Sequence, residues 1–189
     1  MSGVSVVVDP VTFTLVSYDA GQIANLTAEV GGWLGLTDTD SVTVRVEEAS
    51  PLARVTLESV EPIVLLIEGG AIENPKKIRV LDPEAVQIVA TRLLARVADR
   101  RRPDFAGAPD EASLTVPQLD CWDAWALGRA SRRGVNVPQM RWRYRFRNHH
   151  GFTDVADAVF DRLWAAEDLA WADIEQACAE TAAVRPEVA

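Results

Sequence analysis

The chain has two cysteines, two histidines, two lysines and no long hydrophobic run. Each scarcity removes a class of protein. Cys121 and Cys178 are too few and too far apart for the framework of a disulfide-stapled secreted domain or a cysteine-rich zinc site. Both fall in predicted helices and read as buried free thiols, and the sequence leaves open whether they lie close enough to bond. No apolar stretch approaches the roughly 20 residues that cross a bilayer. Met1-Ser2-Gly3-Val4 opens without the basic residues of a signal peptide. The expectation is a soluble, cytoplasmic protein with no membrane partner.

Catalytic signatures are missing too. The chain contains no H-E-x-x-H, no Walker A loop, no G-x-G-x-x-G and no G-x-S-x-G. Gly69-Gly70 follows a predicted strand but leads into another predicted strand, so no helix N-terminus is there to hold a phosphate. No cofactor and no metal are expected.

What is present can build a core. Hydrophobic residues make up 48% of 189 residues and charged residues 25%, the balance of an ordinary globular protein. The net charge is −9, and 17 of the 19 cationic residues are arginine, the mark of a GC-rich coding sequence. The charge is uneven. Residues 129–150 carry seven arginines and no acid, whereas residues 151–189 carry two basic and nine acidic groups. Such blocks either pair inside a fold or recruit a partner.

The hydrophobic patterning predicts an α+β fold with a mainly antiparallel sheet, packed helices and a mostly helical C-terminal lobe. Strands are predicted at Val4–Val8, at Val11–Leu15, around Val42–Val46 and over Arg54–Val60. Further strands are predicted at Ile63–Ile67, placed centrally with both faces covered, and at Lys76–Leu81. Short loops favour antiparallel pairing. Helices are predicted after Asp19, paired with Gln22 as a capping box, and after Asp82-Pro83-Glu84, with Arg100–Arg102 at the negative end of that dipole. Further helices follow Thr115, boxed with Gln118, and Thr153 or Asp154, and a last one carries Trp171 and Ile174. The implied organisation is a lobe over residues 1–102, a linker or long loop over 103–113, and a helical lobe over 114–189. The two lobes are compatible with one compact domain. The tail from Val184 is expected to fray. The six tryptophans are assigned to the core, or to an interface if several prove exposed together.

Arg141-Trp142-Arg143-Tyr144-Arg145-Phe146-Arg147 alternates guanidinium and ring. Read as a strand, it puts four arginines on one face and Trp142, Tyr144 and Phe146 on the other. A guanidinium face suits carboxylates and phosphates. Stacking on nucleic-acid bases needs exposed rings beside the cations, which this alternation does not supply, and an acidic protein repels a polyanion. Nucleic acid is therefore disfavoured. The first functional reading is a non-catalytic binding or scaffold protein, with Arg129, Arg132, Arg133, Arg141, Arg143, Arg145 and Arg147 meeting an acidic protein or a second copy. Placed ahead of any partner is the structural reading, in which the arginine face of 141–147 is solvated or neutralised by the acidic C-terminal helices. His149 and His150 with Asp154 form a second possible site, polar or pH-sensitive, with no third ligand for zinc. The alternative function is a small hydrolase-like enzyme, or an inactive relative of one, using these histidines and the carboxylates Glu47, Glu48, Glu58, Glu61, Glu68 and Glu73. Glu68, which ends the apolar run, is the carboxylate singled out for a raised pKa.

Overall fold

The computed structural model describes residues 3–184. The expected fraying after Val184 concerns residues 185–189, which lie outside the described part. The chain divides into two compact units, Met1–Ala98 and Asp99–Ala189.

The first unit holds four strands, β1 (Ser5–Asp9), β2 (Ser41–Glu47), β3 (Val55–Val60) and β4 (Ile63–Glu68), with helices α1 (Ala20–Trp33) and α2 (Pro83–Arg100). The boundary between the units falls near the end of α2. The sheet order is β1-β2-β4-β3. Here the expectation of mainly antiparallel pairing fails. β1 pairs with β2 and β2 with β4 in parallel, and only β3–β4 is antiparallel. The cause is the length of the connections. Only Glu61-Pro62, between β3 and β4, is short enough to force a hairpin. The segment between β1 and β2 carries α1, a crossover that returns the chain in the same direction.

Two predicted strands are absent for local reasons. Val11 and Leu15 are exposed. The Glu48 carboxylate accepts the Thr14 and Leu15 backbone N–H groups at 2.8 and 2.7 Å, so a side chain satisfies donors that a ladder would otherwise use. Over 76–81, Asn74 Oδ1 accepts from Lys76 N at 2.9 Å, Lys77 N bonds back to Asn74 O, and Arg79 is left-handed at φ 61°. The segment turns, and only Val80 and Leu81 make isolated bridges.

The other strands follow their patterns. Val42, Val44 and Val46 of β2 are buried. β4 is central as expected, with Ile63, Leu65 and Ile67 buried and the opposite face half-buried rather than fully covered. These residues meet Ile23 and Val30 of α1 and Val86, Leu93 and Leu94 of α2 in one core. Gly69-Gly70 opens a 3-10 turn (Gly69–Ala71), not a loop into a strand. A Cβ on Gly70 would overlap the Pro51 carbonyl.

The second unit, described by itself, is helical: α3 (Val116–Arg132), α4 (Gln139–His150), α5 (Asp154–Ala165) and α6 (Trp171–Ala183). The Thr115/Gln118 capping box starts α3, and Thr153 caps α5. The Arg/aromatic strand expected over 140–147 is instead the body of α4. An alternating sequence repeats at i+4 as well as at i+2. On a helix, therefore, it also stacks like over like: Trp142, Phe146 and His150 on one stripe, Arg143 and Arg147 on another, Arg141, Arg145 and His149 on a third. Helix α3 and helix α5 supply partners for two of these stripes, as described below. Phe146 is 1% exposed, within a core of Phe105, Trp122, Trp125, Phe160, Leu163 and Trp171.

Candidate functional site

Most of the predicted cationic surface is consumed by its own unit. Asp99, buried, accepts both guanidinium nitrogens of Arg129 at 2.9 and 2.7 Å and the indole N–H of Trp122 at 2.8 Å. The Arg129 guanidinium also lies 3.8 Å from the Trp125 ring centroid. Arg132 donates to the carbonyls of Trp164 and Ala166 at 2.6 Å, which caps the C-terminus of α5. Arg133 is the exposed C-cap residue of α3.

Along α4, Arg143 pairs with Asp161, and Arg147 donates through Nε to Asp157 at 2.7 Å. The Arg147 hydrogen bond holds the Asp157 carboxyl below the usual carboxylate range. Arg145 donates to Asp120 at 3.0 Å, and His149 bonds the other oxygen of the same carboxylate. Asp120 is 3% exposed. Burial pushes its pKa up, and the bonds from Arg145 and His149 oppose that shift. Asp157 and Asp161 belong to the acidic C-terminal block, so the internal pairing describes Arg143 and Arg147. Arg145 is held instead by an aspartate of α3.

Arg141 differs. It is exposed, with no side-chain partner among the described residues. Beside it α4 shows solvent a face that is not polar. Met140 is 68% exposed and Tyr144 59%; Phe152, at 62%, packs edge-on against Tyr144 with ring centroids 5.6 Å apart. Val155, in the first turn of α5, is 37% exposed. Asp154 next to it is exposed and likewise without a side-chain partner among the described residues. Its place is the first turn of α5, where a negative charge suits the helix dipole.

The two histidines part company. His149 faces Asp120. His150 is 2% exposed and stacked on Phe146, with centroids 3.8 Å apart. Its Nδ1 meets Thr181 Oγ1 at 2.8 Å, and its Nε2 lies 3.1 Å from the Pro117 carbonyl and 3.7 Å from Cys121 Sγ. The Pro117 carbonyl can only accept, which assigns a proton to Nε2, while the Thr181 hydroxyl that meets Nδ1 also lies within reach of the Ala177 and Cys178 carbonyls. A cavity of about 110 Å³ opens beside this ring, lined by Pro117, His149, His150, Cys178, Thr181 and Ala182. Among the described residues no group of three or more acidic, cysteine or histidine side chains is arranged to hold a metal ion, and no helix is long and apolar enough to cross a membrane.

Three of the six candidate carboxylates of the first unit, Glu48, Glu58 and Glu68, are engaged in the fold. Glu48 holds the 14–15 backbone, Glu58 pairs with Arg45 at 2.8 Å, and Glu68 lies 3.7 Å from Arg54. Of the tryptophans, Trp122, Trp125 and Trp171 are buried and Trp33, Trp142 and Trp164 half-buried, so they serve packing.

The sequence reading missed the Met140–Tyr144–Phe152–Val155 patch and the role of Asp99 and Asp120 as buried anchors. The helical spacing of Met140 and Tyr144 was a usable signal for the first. For Asp120, the signal was an aspartate set between Leu119 and Cys121-Trp122; Asp99 had none. No protein-family model matches this chain, and no curated protein or solved structure gives a significant match to it.

Proposed function

We propose that this chain is a non-catalytic binding protein that works by self-association, through the exposed face of α4 and the start of α5. One observation carries this reading: Met140 and Tyr144, one turn apart on α4, Phe152 in ring contact with Tyr144, and Val155 at the start of α5 are all exposed, and the residues next to Met140 and Val155 in sequence, Arg141 and Asp154, are opposite charges without side-chain partners among the described residues. Tyrosine, phenylalanine, methionine and arginine are the residues that protein interfaces concentrate. A two-fold contact needs a self-complementary surface, in which residue i meets j and j meets i. A patch with a cation at one edge and an anion at another meets that need: Arg141 of each copy is offered Asp154 of the other. This narrows the arginine-rich surface inferred from the sequence to a single arginine. The remaining arginines of the block are engaged within the unit or sit at the helix end.

The test is the molecular mass in solution as a function of concentration. The expected result is a reversible dimer with Kd between roughly 1 μM and 1 mM, the range of a small interface. Tyr144→Glu should leave only monomer, with its helical circular dichroism unchanged. A wild-type monomer throughout that range refutes the reading. If a monomer instead gains mass on addition of an acidic amphipathic peptide, the patch serves a different, acidic partner.

A further inference from the structure

A second feature of the helical unit is independent of the docking face. Cys121 of α3 and Cys178 of α6 are free thiols, 57 residues apart in sequence, with Sγ atoms 3.7 Å apart. Their surroundings are unequal. Cys121 is buried at 0% exposure, whereas Cys178 is half-buried and lines the 110 Å³ cavity beside His150. We propose that the pair is a peroxide-reactive dithiol, in which Cys178 is the attacking sulfur and Cys121 the resolving one, and that its oxidant, consumed once per pair, is a small hydroperoxide.

The geometry supports each role. Only Cys178 is reachable from the cavity, and the cavity's size admits hydrogen peroxide or a short alkyl hydroperoxide rather than a bulky peptide disulfide. The hydrogen bond from the Cys121 thiol favours the Cys178 thiolate, lowering its pKa, while the same bond and burial push the Cys121 thiol up. The thiolate is the reactive form. Cys121 is held in place by the packed core of α3 and faces the His150 Nε2 edge at 3.7 Å.

The chemistry balances with the hydroperoxide as sole oxidant. The Cys178 thiolate attacks the terminal peroxide oxygen, an S–O bond forms, the O–O bond breaks, and the leaving alkoxide takes a proton from solvent. Cys178 is now a sulfenic acid. The Cys121 sulfur then attacks the Cys178 sulfur, the S–O bond breaks, and the oxygen leaves as water with the proton that Cys121 gives up. Two thiols lose two electrons and one hydroperoxide becomes one alcohol and one water. Forming the S–S bond of about 2.05 Å asks the sulfurs to close by roughly 1.7 Å.

The experiment treats the full chain with a small excess of hydrogen peroxide, followed by non-reducing peptide mapping by mass spectrometry. The expected product is an intramolecular Cys121–Cys178 cross-link in a chain two hydrogens lighter. Cys121→Ser should consume peroxide and stop at a sulfenic acid on Cys178 that dimedone traps. Cys178→Ser should slow peroxide consumption about tenfold or more. The wild-type map needs no variant, so a folding failure in either mutant leaves the test intact. Unlinked thiols after treatment, first oxidation at Cys121, or cross-links only between chains would each overturn the proposal.

Discussion

Gly128 shows how a single residue sets the spacing of two helices. A Cβ at this position of α3 would overlap the backbone carbonyl of Trp164 near the end of α5. Gly128→Ala should therefore destabilise the helical unit by about 1–3 kcal/mol, the usual cost of overpacking, read as a lower urea midpoint. Asp99 is the electrostatic counterpart. It satisfies Trp122 and both terminal nitrogens of Arg129 from a buried position. Asp99→Ala leaves a desolvated guanidinium and an indole N–H without an acceptor, and should cost about 3–5 kcal/mol. Neither role was visible in the sequence. Gly128 and Asp99 act on residues 36 and 23 positions away, and no local pattern encodes such a meeting. Caps are different. Asp82, Thr115 and Thr153 were legible because a cap and its N–H donors lie within three residues.

At the scale of elements, the strand-or-helix question for 139–150 is instructive. Seven alternating residues satisfy a period of two, and they also keep like residues at i+4, so the pattern alone could not decide. What decides is the presence of partners. α3 and α5 bring Asp120, Asp157 and Asp161 to the arginine stripes, whereas the second unit has no strand among its described residues for an arginine strand to pair with. The two conformations make opposite predictions for the rings. On a strand, Trp142, Tyr144 and Phe146 would be buried alike. On α4 only Phe146 is fully buried. Phe146→Ala should cost about 3–5 kcal/mol and Tyr144→Ala less than about 0.5 kcal/mol in thermal or urea unfolding. Equal losses would restore the strand. The sheet was misread for a related reason. Alternation located β2 and an apolar run located β4, but direction depends on the segment between strands, and the alternation over Val11–Leu15 reads as a strand although a glutamate from another loop holds its backbone.

At the scale of the whole molecule, the net charge of −9 is spread over carboxylates that mostly serve the fold. Bonds from the Leu15 backbone to Glu48, from Arg147 to Asp157 and from Arg162 to Glu180 each hold a carboxyl below its ordinary pKa. Such groups stabilise the fold above the unfolded-state pKa of about 4, and the contribution is lost as pH falls through the folded value. Asp120, raised by burial, works in the opposite sense: the folded state takes up its proton first, so acid relieves its cost. Protonating Glu48, Asp157 and Glu180 removes the stabilisation their bonds supply. The urea midpoint should therefore fall between pH 5 and pH 3, and Asp157→Asn with Glu180→Gln should flatten that fall. The same bookkeeping leaves Arg141 and Asp154 uncommitted at the edge of an exposed apolar face, and the central claim is that a second copy completes them. Sedimentation equilibrium on Arg141→Asp, Asp154→Arg and their equimolar mixture tests it most directly. In a two-fold contact each single variant sets like charges against each other, while the mixture restores two opposite pairs. The account predicts monomers for each variant alone and a heterodimer on mixing, beside a wild-type homodimer. Monomers in all three samples together with a monomeric wild type, or dimers indifferent to both substitutions, would contradict it.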